Sequence, residues 1–240
     1  SMLGYFPGGR VFSDPYYRRL NDIQVRYFID AAAIIRDARP DAKIISIQSI
    51  TAWQHDTFDP FDTLYKLAVD QNYSHLDGVI SVVDYVGINY YQRATASPVF
   101  LLNFLNPRGE YVSDLGWIID PEGLKEQIVE FGKRYQKPLI ITENGLADHT
   151  DRKRVSYLYS HLKAVRESLD ADYDVRGYFH WSLLDNFEWL FGYEHQFGLF
   201  SVDANARTLT PKPSAGYYRD LISAEFMEPE TDISLLAPTP

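Results

Sequence analysis

Leu139-Ile140-Ile141-Thr142-Glu143-Asn144-Gly145 is the stretch that decides the fold of this 240-residue chain. Its three apolar residues predict a buried strand, and that strand stops on a carboxylate. Asn144 and Gly145 follow, and both residue types tolerate the sharp turn by which a chain leaves a strand. Glu143 is therefore expected at the C-terminal tip of the strand, where parallel α/β proteins place their chemistry. The alternative is a glutamate that only caps a loop.

The same alternation of strand and helix extends in both directions along the chain. Apolar residues recur every three or four positions in the predicted helices, as Leu124, Ile128 and Phe131 do, and this spacing marks one buried face. Strands are predicted at 43–47, 85–91, 139–145 and 176–181, and helices at 14–39, 61–73, 121–135, 152–169 and 213–221. Strands that alternate with helices indicate a parallel sheet with helical crossovers. The sequence thus predicts an α/β fold with four strands in a single domain, residues 1–240.

Composition and charge limit the class of protein. A hydrophobic content of 45% suits a packed core, and a formal net charge of −10 argues against nucleic acid or an anionic membrane as a partner. The chain has no cysteine, which excludes disulfides and thiolate chemistry and fits a cytoplasmic protein. No signal peptide is expected, and no apolar run is long enough to span a bilayer.

Polar and aromatic side chains follow three of the predicted strands, whose carboxyl ends should meet at one rim. Asn89 and Tyr91 end the second strand, Glu143 and Asn144 end the third, and Trp181 ends the fourth. The loop after the last strand adds a further polar and aromatic group, Asp185, Asn186, Glu188 and Trp189. No metal-ligand spacing or phosphate-binding glycine motif is present, so no metal or cofactor is expected. Carboxylates among aromatic rings are typical of sites that bind and cleave sugars.

These motifs resemble those of one known family. Ile-Thr-Glu-Asn-Gly at 141–145 is similar to the nucleophile motif of the family-1 glycoside hydrolases, the retaining β-glucosidases and β-galactosidases. Further stretches match the family in order: YVGINYY at 85–91, GW at 116–117, GYFHWSLLDNFEW at 177–189, QFGLFSVD at 196–203 and PKPS at 211–214. The pairing of His180 with Trp181 resembles archaeal members. The resemblance covers nearly the whole chain, and it implies a β-glycoside substrate.

The resemblance implies a role for each matching residue. Glu143 would be the nucleophile that attacks the anomeric carbon and forms a covalent glycosyl-enzyme. Tyr91 would hold this carboxylate by a hydrogen bond, and Asn89 would lie beside the sugar and the acid. Trp181 would form the floor under the bound sugar. Without the resemblance, Trp181 would be taken for a core aromatic and Tyr91 for an ordinary strand residue.

Four more residues complete the site that the resemblance implies. Glu188 would accept hydrogen bonds from the sugar hydroxyls far from the scissile bond, with Trp189 next to it. Trp117 would line the leaving-group side, and Phe197 would be a wall residue. Ile118 stands where many relatives carry glutamate, which leaves the leaving-group preference open. The alternative for Glu188 is a solvated loop charge or an ion-pair partner.

The second carboxylate of a retaining glycosidase is absent from the sequence. In the family it is the Glu of an Asn-Glu-Pro motif that ends the fourth barrel strand, and Glu228-Pro229 lies too far beyond the last strand to serve. The four predicted strands match the fifth to the eighth of the family. The resemblance therefore implies half of a (β/α)8 TIM barrel, completed by another chain that carries strands one to four and the acid.

Two other functions stay open at this point. The chain could be a non-catalytic sugar-binding relative that lost its acid, or an inert structural half-barrel that only holds another chain. The intact Glu143 favours an enzyme, because a binding module has no need of a nucleophile. Gluco- or galacto-preference is not evident in the sequence.

Overall fold

We analysed a computed structural model, which describes residues 14–57, 59, 61–97, 111–203, 205 and 207–223. The sequence also predicts a loop at 3–13 and an irregular tail after Met227, and both segments lie outside the described residues. No helix in the described part of the chain is both long and apolar enough to cross a membrane.

Four strands form one parallel sheet in the order β1-β2-β3-β4, so strands that follow one another in sequence are neighbours in space. They are β1 Ile45–Gln54, β2 Tyr85–Thr95, β3 Leu139–Asn144 and β4 Val175–His180. The helices that alternate with them are α1 Asp14–Ala38, α2 Thr63–Val79, α3 Pro121–Tyr135, α4 Arg154–Asp170 and α5 Pro213–Ser223. The predicted α/β fold with a parallel sheet is confirmed, and the carboxyl ends of its strands share one rim.

Some strand and helix ends differ from the predicted ones. β1 begins two residues later than predicted and continues to Gln54, paired with β2 as far as Thr95 after a register shift near Ala52. The C-terminal extensions of β1 and β2 were not predicted because they contain polar residues, and the prediction followed only the apolar part of each strand. β5 Phe200–Asp203 and β6 Thr208–Pro211 form an antiparallel hairpin that was not predicted. Every residue of β6 is exposed, so no alternation of buried and exposed side chains marks it.

The core lies between one face of the sheet and the helices that cover it. Helix α3 buries Leu124, Ile128 and Phe131 completely, as its spacing predicts. The opposing side chains come from alternate positions of the two central strands, Val86, Ile88, Tyr90, Leu139 and Ile141. Burying an aliphatic or phenyl side chain of this size stabilises the fold by about 1.5–3 kcal/mol. This packing fixes β2 and β3 side by side, and both strands lead to the rim.

Apolar side chains remain exposed on the other face of the sheet and on the first helix. Ile47 of β1 is 51% exposed and Phe179 of β4 is 60% exposed, and these two strands are the edges of the sheet. On α1, Tyr27 and Ile34 are exposed to 71% and 70%. Unpaired parallel edges and uncovered apolar side chains are features that favour association.

Candidate active site

A β-bulge in β3 turns Glu143 toward the rim. Ile88 pairs with Ile141 and Asn89 pairs with Glu143, so Thr142 is one extra residue on β3. Without that residue, the alternation of the strand would point Glu143 into the core, on the same side as Ile141. The bulge instead places Glu143 beside Asn89, on the half-exposed face of the sheet.

Tyr91 holds the carboxylate of Glu143. Its hydroxyl donates a hydrogen bond of 2.5 Å to Glu143 Oε2, from the neighbouring strand β2. Burial of the phenol, followed by this bond to a carboxylate, raises the pKa of Tyr91 far above its ordinary value. The hydroxyl therefore stays protonated at neutral pH and acts as a donor, which fixes one oxygen of Glu143 in place.

Asn89 is fixed by the extra residue of the bulge. The Thr142 hydroxyl donates a hydrogen bond of 2.6 Å to Asn89 Oδ1, which sets the orientation of the amide. Because that bond uses the oxygen of the amide, its nitrogen is left to donate elsewhere. Asn89, like Glu143, is half-buried.

Three aromatic rings meet next to Glu143. The ring centroids of Tyr91 and Trp117 lie 5.7 Å apart, those of Tyr91 and Phe197 lie 6.0 Å apart, and those of Trp117 and Phe197 lie 6.3 Å apart. Tilted and edge-on contacts at these distances are favourable for aromatic pairs. Phe197 is only 2% exposed, so its ring supports the other two from behind.

Trp181 and Glu188 form a second cluster on the same rim. The Trp181 indole nitrogen donates to Glu188 Oε1 over 3.3 Å, and Asn186 Nδ2 donates to the same oxygen over 2.7 Å. Asn186 is oriented in turn by the Ser182 hydroxyl, 3.2 Å from its Oδ1. The carboxylate of Glu188 is thus held against the edge of a flat indole ring.

The remaining predicted residue, Trp189, lies at the start of a short 3-10 helix, Trp189–Phe191, and is 67% exposed. Its neighbour Glu188 belongs to the Trp181 cluster. At the base of the rim, Gly145 leaves no room for a side chain, because the backbone carbonyl of Trp181 lies against its Cα. This close approach brings the loops after β3 and β4 together.

A buried arginine that the sequence analysis missed links these loops. Arg154 is fully buried, and its guanidinium donates to three backbone carbonyl oxygens: Asp148 and Gln196 at 2.8 Å each, and Leu146 at 3.2 Å. It also forms an ion pair with Asp151. The signal was the Asp-x-x-Arg spacing at 151–154, because two opposite charges three residues apart at a helix start lie on the same face.

Asp151 extends the same connection to the last helix. Its carboxylate accepts hydrogen bonds from the Ser214 amide at 2.8 Å and the Ser214 hydroxyl at 2.7 Å, at the start of α5. One buried ion pair therefore fastens both rim loops and α5, and the loop carrying Gln196 leads directly into Phe197.

Two residues expected on the rim lie beneath it. Asp185 forms an ion pair of 2.8 Å with Lys212, with both side chains only 9% exposed, and accepts a hydrogen bond from the Gly198 amide. Asn144 is fully buried, because the bulge pairs it with Tyr90 of the core face. Both are part of the framework under the rim. Among the described residues, no cluster of three or more His, Asp or Glu side chains could hold a metal ion.

Comparison with known proteins identifies the family. The sequence model of "Glycosyl hydrolase family 1" matches residues 66–227. The chain is similar to the β-galactosidase of Saccharolobus solfataricus, with 39% identity over 152 residues, which is 58% of this chain and 31% of that protein. It is also similar to the bifunctional β-D-glucosidase/β-D-fucosidase of Bifidobacterium breve, with 35% identity over 179 residues, 62% of this chain and 39% of that protein.

Solved structures share the fold. The hyperthermophilic β-glucosidase from Pyrococcus furiosus superposes with a TM-score of 0.81 and 29% identity. The match covers 97% of this chain and 53% of that one. The chain thus spans about half of that solved structure, and the alignments cover about a third of the curated relatives.

Proposed function

This chain belongs to glycosyl hydrolase family 1, and from that premise we propose that it carries the nucleophile of a β-glycosidase acting on β-glucosides or β-galactosides with retention. The observation that carries the proposal is the short hydrogen bond from Tyr91 to Glu143 at the rim of the sheet. A carboxylate fixed by one oxygen beside a cluster of aromatic rings is the arrangement that a sugar nucleophile needs.

In the proposed reaction, Glu143 attacks the anomeric carbon while the bond to the leaving group breaks and an acid protonates the departing oxygen. Tyr91 holds Oε2, which orients Oε1 for attack. Water then hydrolyses the glycosyl-enzyme, and the former acid removes the proton of that water. Trp181 would stack under the sugar, and Glu188 would accept bonds from its distal hydroxyls. Asn89 would lie beside the sugar, and Trp117 and Phe197 would line the leaving-group side.

The acid itself is proposed to come from outside these 240 residues. A retaining mechanism needs two carboxyl groups about 5–5.5 Å apart. Glu188 is a poor candidate for the second, because its carboxylate is already bound by Trp181 and Asn186. The acid would stand on the fourth strand of the complementary half.

The sheet supports this division. Four parallel strands cannot close a (β/α)8 barrel, which needs eight. Both edge strands also carry an exposed apolar residue, Ile47 and Phe179, on the sheet face that the helices leave uncovered. We propose that residues 1–240 form one half-barrel domain holding strands five to eight, and that a second polypeptide supplies strands one to four. A cytoplasmic location is proposed from the absence of cysteine.

Complementation tests the proposal. The chain alone should hydrolyse no 4-nitrophenyl β-D-glucoside, and adding the N-terminal half of a family relative as a separate polypeptide should restore turnover. A 2-fluoro glycoside should then leave one sugar mass on the peptide that carries Glu143, measured by mass spectrometry. Labelling should disappear in Glu143→Gln.

The matched control is Glu130→Gln, which changes an exposed glutamate on α3. This variant should be labelled like the unchanged chain. Full turnover by the purified chain without any partner would refute the half-barrel proposal, and labelling of another carboxylate would refute the role of Glu143.

A non-catalytic role is the alternative, favoured only by the missing Asn-Glu-Pro motif. A sugar-binding relative would bind glucose, seen by calorimetry, yet never be labelled by the 2-fluoro glycoside even with the complementary half. An inert structural half-barrel would associate tightly with that half and bind no sugar.

A further inference from the structure

The backbone ladder is interrupted where the nucleophile stands. Between Ile88 and Asn89 the pairing of β2 with β3 skips Thr142, so the bulge lies directly before Glu143. A bulged segment leaves one residue unpaired and disrupts the local ladder. Some other contact must therefore hold the two strands at the offset that brings Tyr91 onto Glu143.

One such contact, on the core face, is made by the side chain of Asn144. It is fully buried, and its Nδ2 donates to the backbone carbonyl of Tyr90 and to the Tyr157 hydroxyl, at 2.8 Å each. Its Oδ1 accepts from the Tyr178 hydroxyl, also at 2.8 Å. The orientation of the amide is certain, because a backbone carbonyl can only accept and so must face the nitrogen. One amide thus joins β3 to β2, to β4 and to α4.

Side chains therefore tie the two strands at three successive positions of β3. On the rim face, Thr142 bonds to Asn89 and Tyr91 bonds to Glu143. On the core face, Asn144 bonds to the carbonyl of Tyr90. We propose that Asn144 is a positioning residue that locks the bulge and so places Glu143 against the Tyr91 hydroxyl. The effect of Asn144 on turnover rests on the proposed function of Glu143 as the nucleophile. The effect of Asn144 on the position of Glu143 does not depend on that function.

The structural content is tested on the chain alone. In the unchanged protein, the hydrogen-bonded hydroxyl proton of Tyr91 should give a downfield signal in the proton NMR spectrum, assigned by its loss in Tyr91→Phe. In Asn144→Ala this signal should vanish or move upfield, because the strand offset relaxes. Tyr178→Phe, which removes one hydroxyl and keeps the ring, should weaken the signal and serves if Asn144→Ala does not fold.

Asn72 provides a matched control. It is also a buried asparagine that ties a helix to a strand, with bonds to the amide and carbonyl of Thr51 at 3.3 and 2.8 Å. Asn72→Ala should lower stability and leave the Tyr91 signal in place. An unchanged Tyr91 signal in folded Asn144→Ala, its loss in Asn72→Ala, or its absence in the unchanged protein would overturn the inference.

The catalytic consequence is tested in the complemented pair. Asn144→Ala should lower kcat about 100-fold with little change in KM, since a misplacement of about 1 Å can cost that much. Asn72→Ala should leave both constants nearly unchanged. Should the unchanged pair prove inactive, the proposed function fails, while the NMR experiment still decides the role of Asn144.

Discussion

At the scale of single residues, the position of Glu143 depends on one inserted threonine. Thr142 shifts the register so that two successive residues, Thr142 and Glu143, point to the rim face. The Tyr91 hydroxyl then meets the carboxylate of Glu143 at 2.5 Å. A carboxylate held in this way has lost the freedom to rotate before substrate arrives, which lowers the cost of reaching the reactive geometry.

Replacing Tyr91 with phenylalanine should therefore slow the formation of the glycosyl-enzyme about 10- to 100-fold. The reason is that a hydrogen bond to a charged group contributes about 1.5–3 kcal/mol. The measurement is the rate of labelling by a 2-fluoro glycoside in the complemented pair. The control, Tyr73→Phe, changes another half-buried tyrosine, which packs on Phe131 in the core. Equal labelling rates for Tyr91→Phe and the unchanged protein would contradict the positioning role.

Residue-scale prediction from sequence was wrong about Asn144, which was expected on the rim and is fully buried. Period-two alternation, counted from buried Ile141 without a bulge, would place Asn144 on the rim and Glu143 in the core. A bulge leaves no mark in the sequence, because it depends on pairing with a distant strand. Asp185 was misplaced for a related reason, since its partner Lys212 is remote in sequence.

At the scale of elements, the buried ion pair of Arg154 with Asp151 connects the loops after β3 and β4. The guanidinium of Arg154 reaches carbonyls of both loops, and Asp151 reaches the first turn of α5. A buried ion pair is stabilising only while both partners remain, because a lone buried charge carries the full cost of lost hydration.

Arg154→Met should lower the free energy of unfolding by about 3–5 kcal/mol, because it leaves the Asp151 carboxylate buried without its partner. Urea denaturation followed by circular dichroism measures this. Arg166→Met is the matched control on the same helix, where the pair with Asp170 is exposed and should cost far less. An equal fall in the free energy of unfolding for the two variants would show that the buried ion pair stabilises the fold no more than the exposed one.

Helix α3, with a strong apolar period, was predicted well, whereas the start of helix α2, which depends on polar contacts, was not. Helix α3 follows its spacing to the residue, from Pro121 to Tyr135. Helix α2 starts at Thr63, two residues later than predicted, where Asp59 accepts the amides of Thr63 and Leu64 at 3.0 and 2.7 Å. A cap supplied from outside the helix cannot be found from helical periodicity.

At the scale of the whole molecule, two buried histidines make stability depend on pH. His161 stacks on Tyr157 and bonds to its backbone carbonyl at 2.9 Å, and burial lowers its pKa to about 4. Burial, with a contribution from Arg154, lowers the pKa of His180 to about 3. Both rings are neutral in the folded protein at pH 7.

The free energy of unfolding should therefore fall as the pH drops from about 6.5 toward 4. The unfolded chain binds protons on these histidines below an ordinary pKa of about 6.5, while the folded chain does not bind them until much lower pH. Urea titrations at pH 7.0 and 4.5 measure the loss. The double variant His161→Gln/His180→Gln should show a flatter dependence, and an unaltered slope would exclude these two rings as the cause.

The four parallel strands were predictable because each strand is an apolar run between helices. The sequence motifs at the ends of these strands were predictable with them. The sequence alone does not show which side chains of the edge strands are left exposed. Whether an edge is covered depends on atoms outside the segment, so the exposed Ile47 and Phe179 could only be seen once the strands were placed.

The directions of β1 and β4 have a consequence for handling the protein. Because β1 and β4, the edge strands of the sheet in the described part of the chain, run the same way, β1 of one copy can meet β4 of the next in a head-to-tail contact. Such a contact is self-propagating, and it either closes into a ring or grows into a filament. The mean molecular mass that light scattering gives for the isolated chain should therefore rise with concentration, and Phe179→Lys should suppress that rise. A mean mass that is independent of concentration would argue against such a contact.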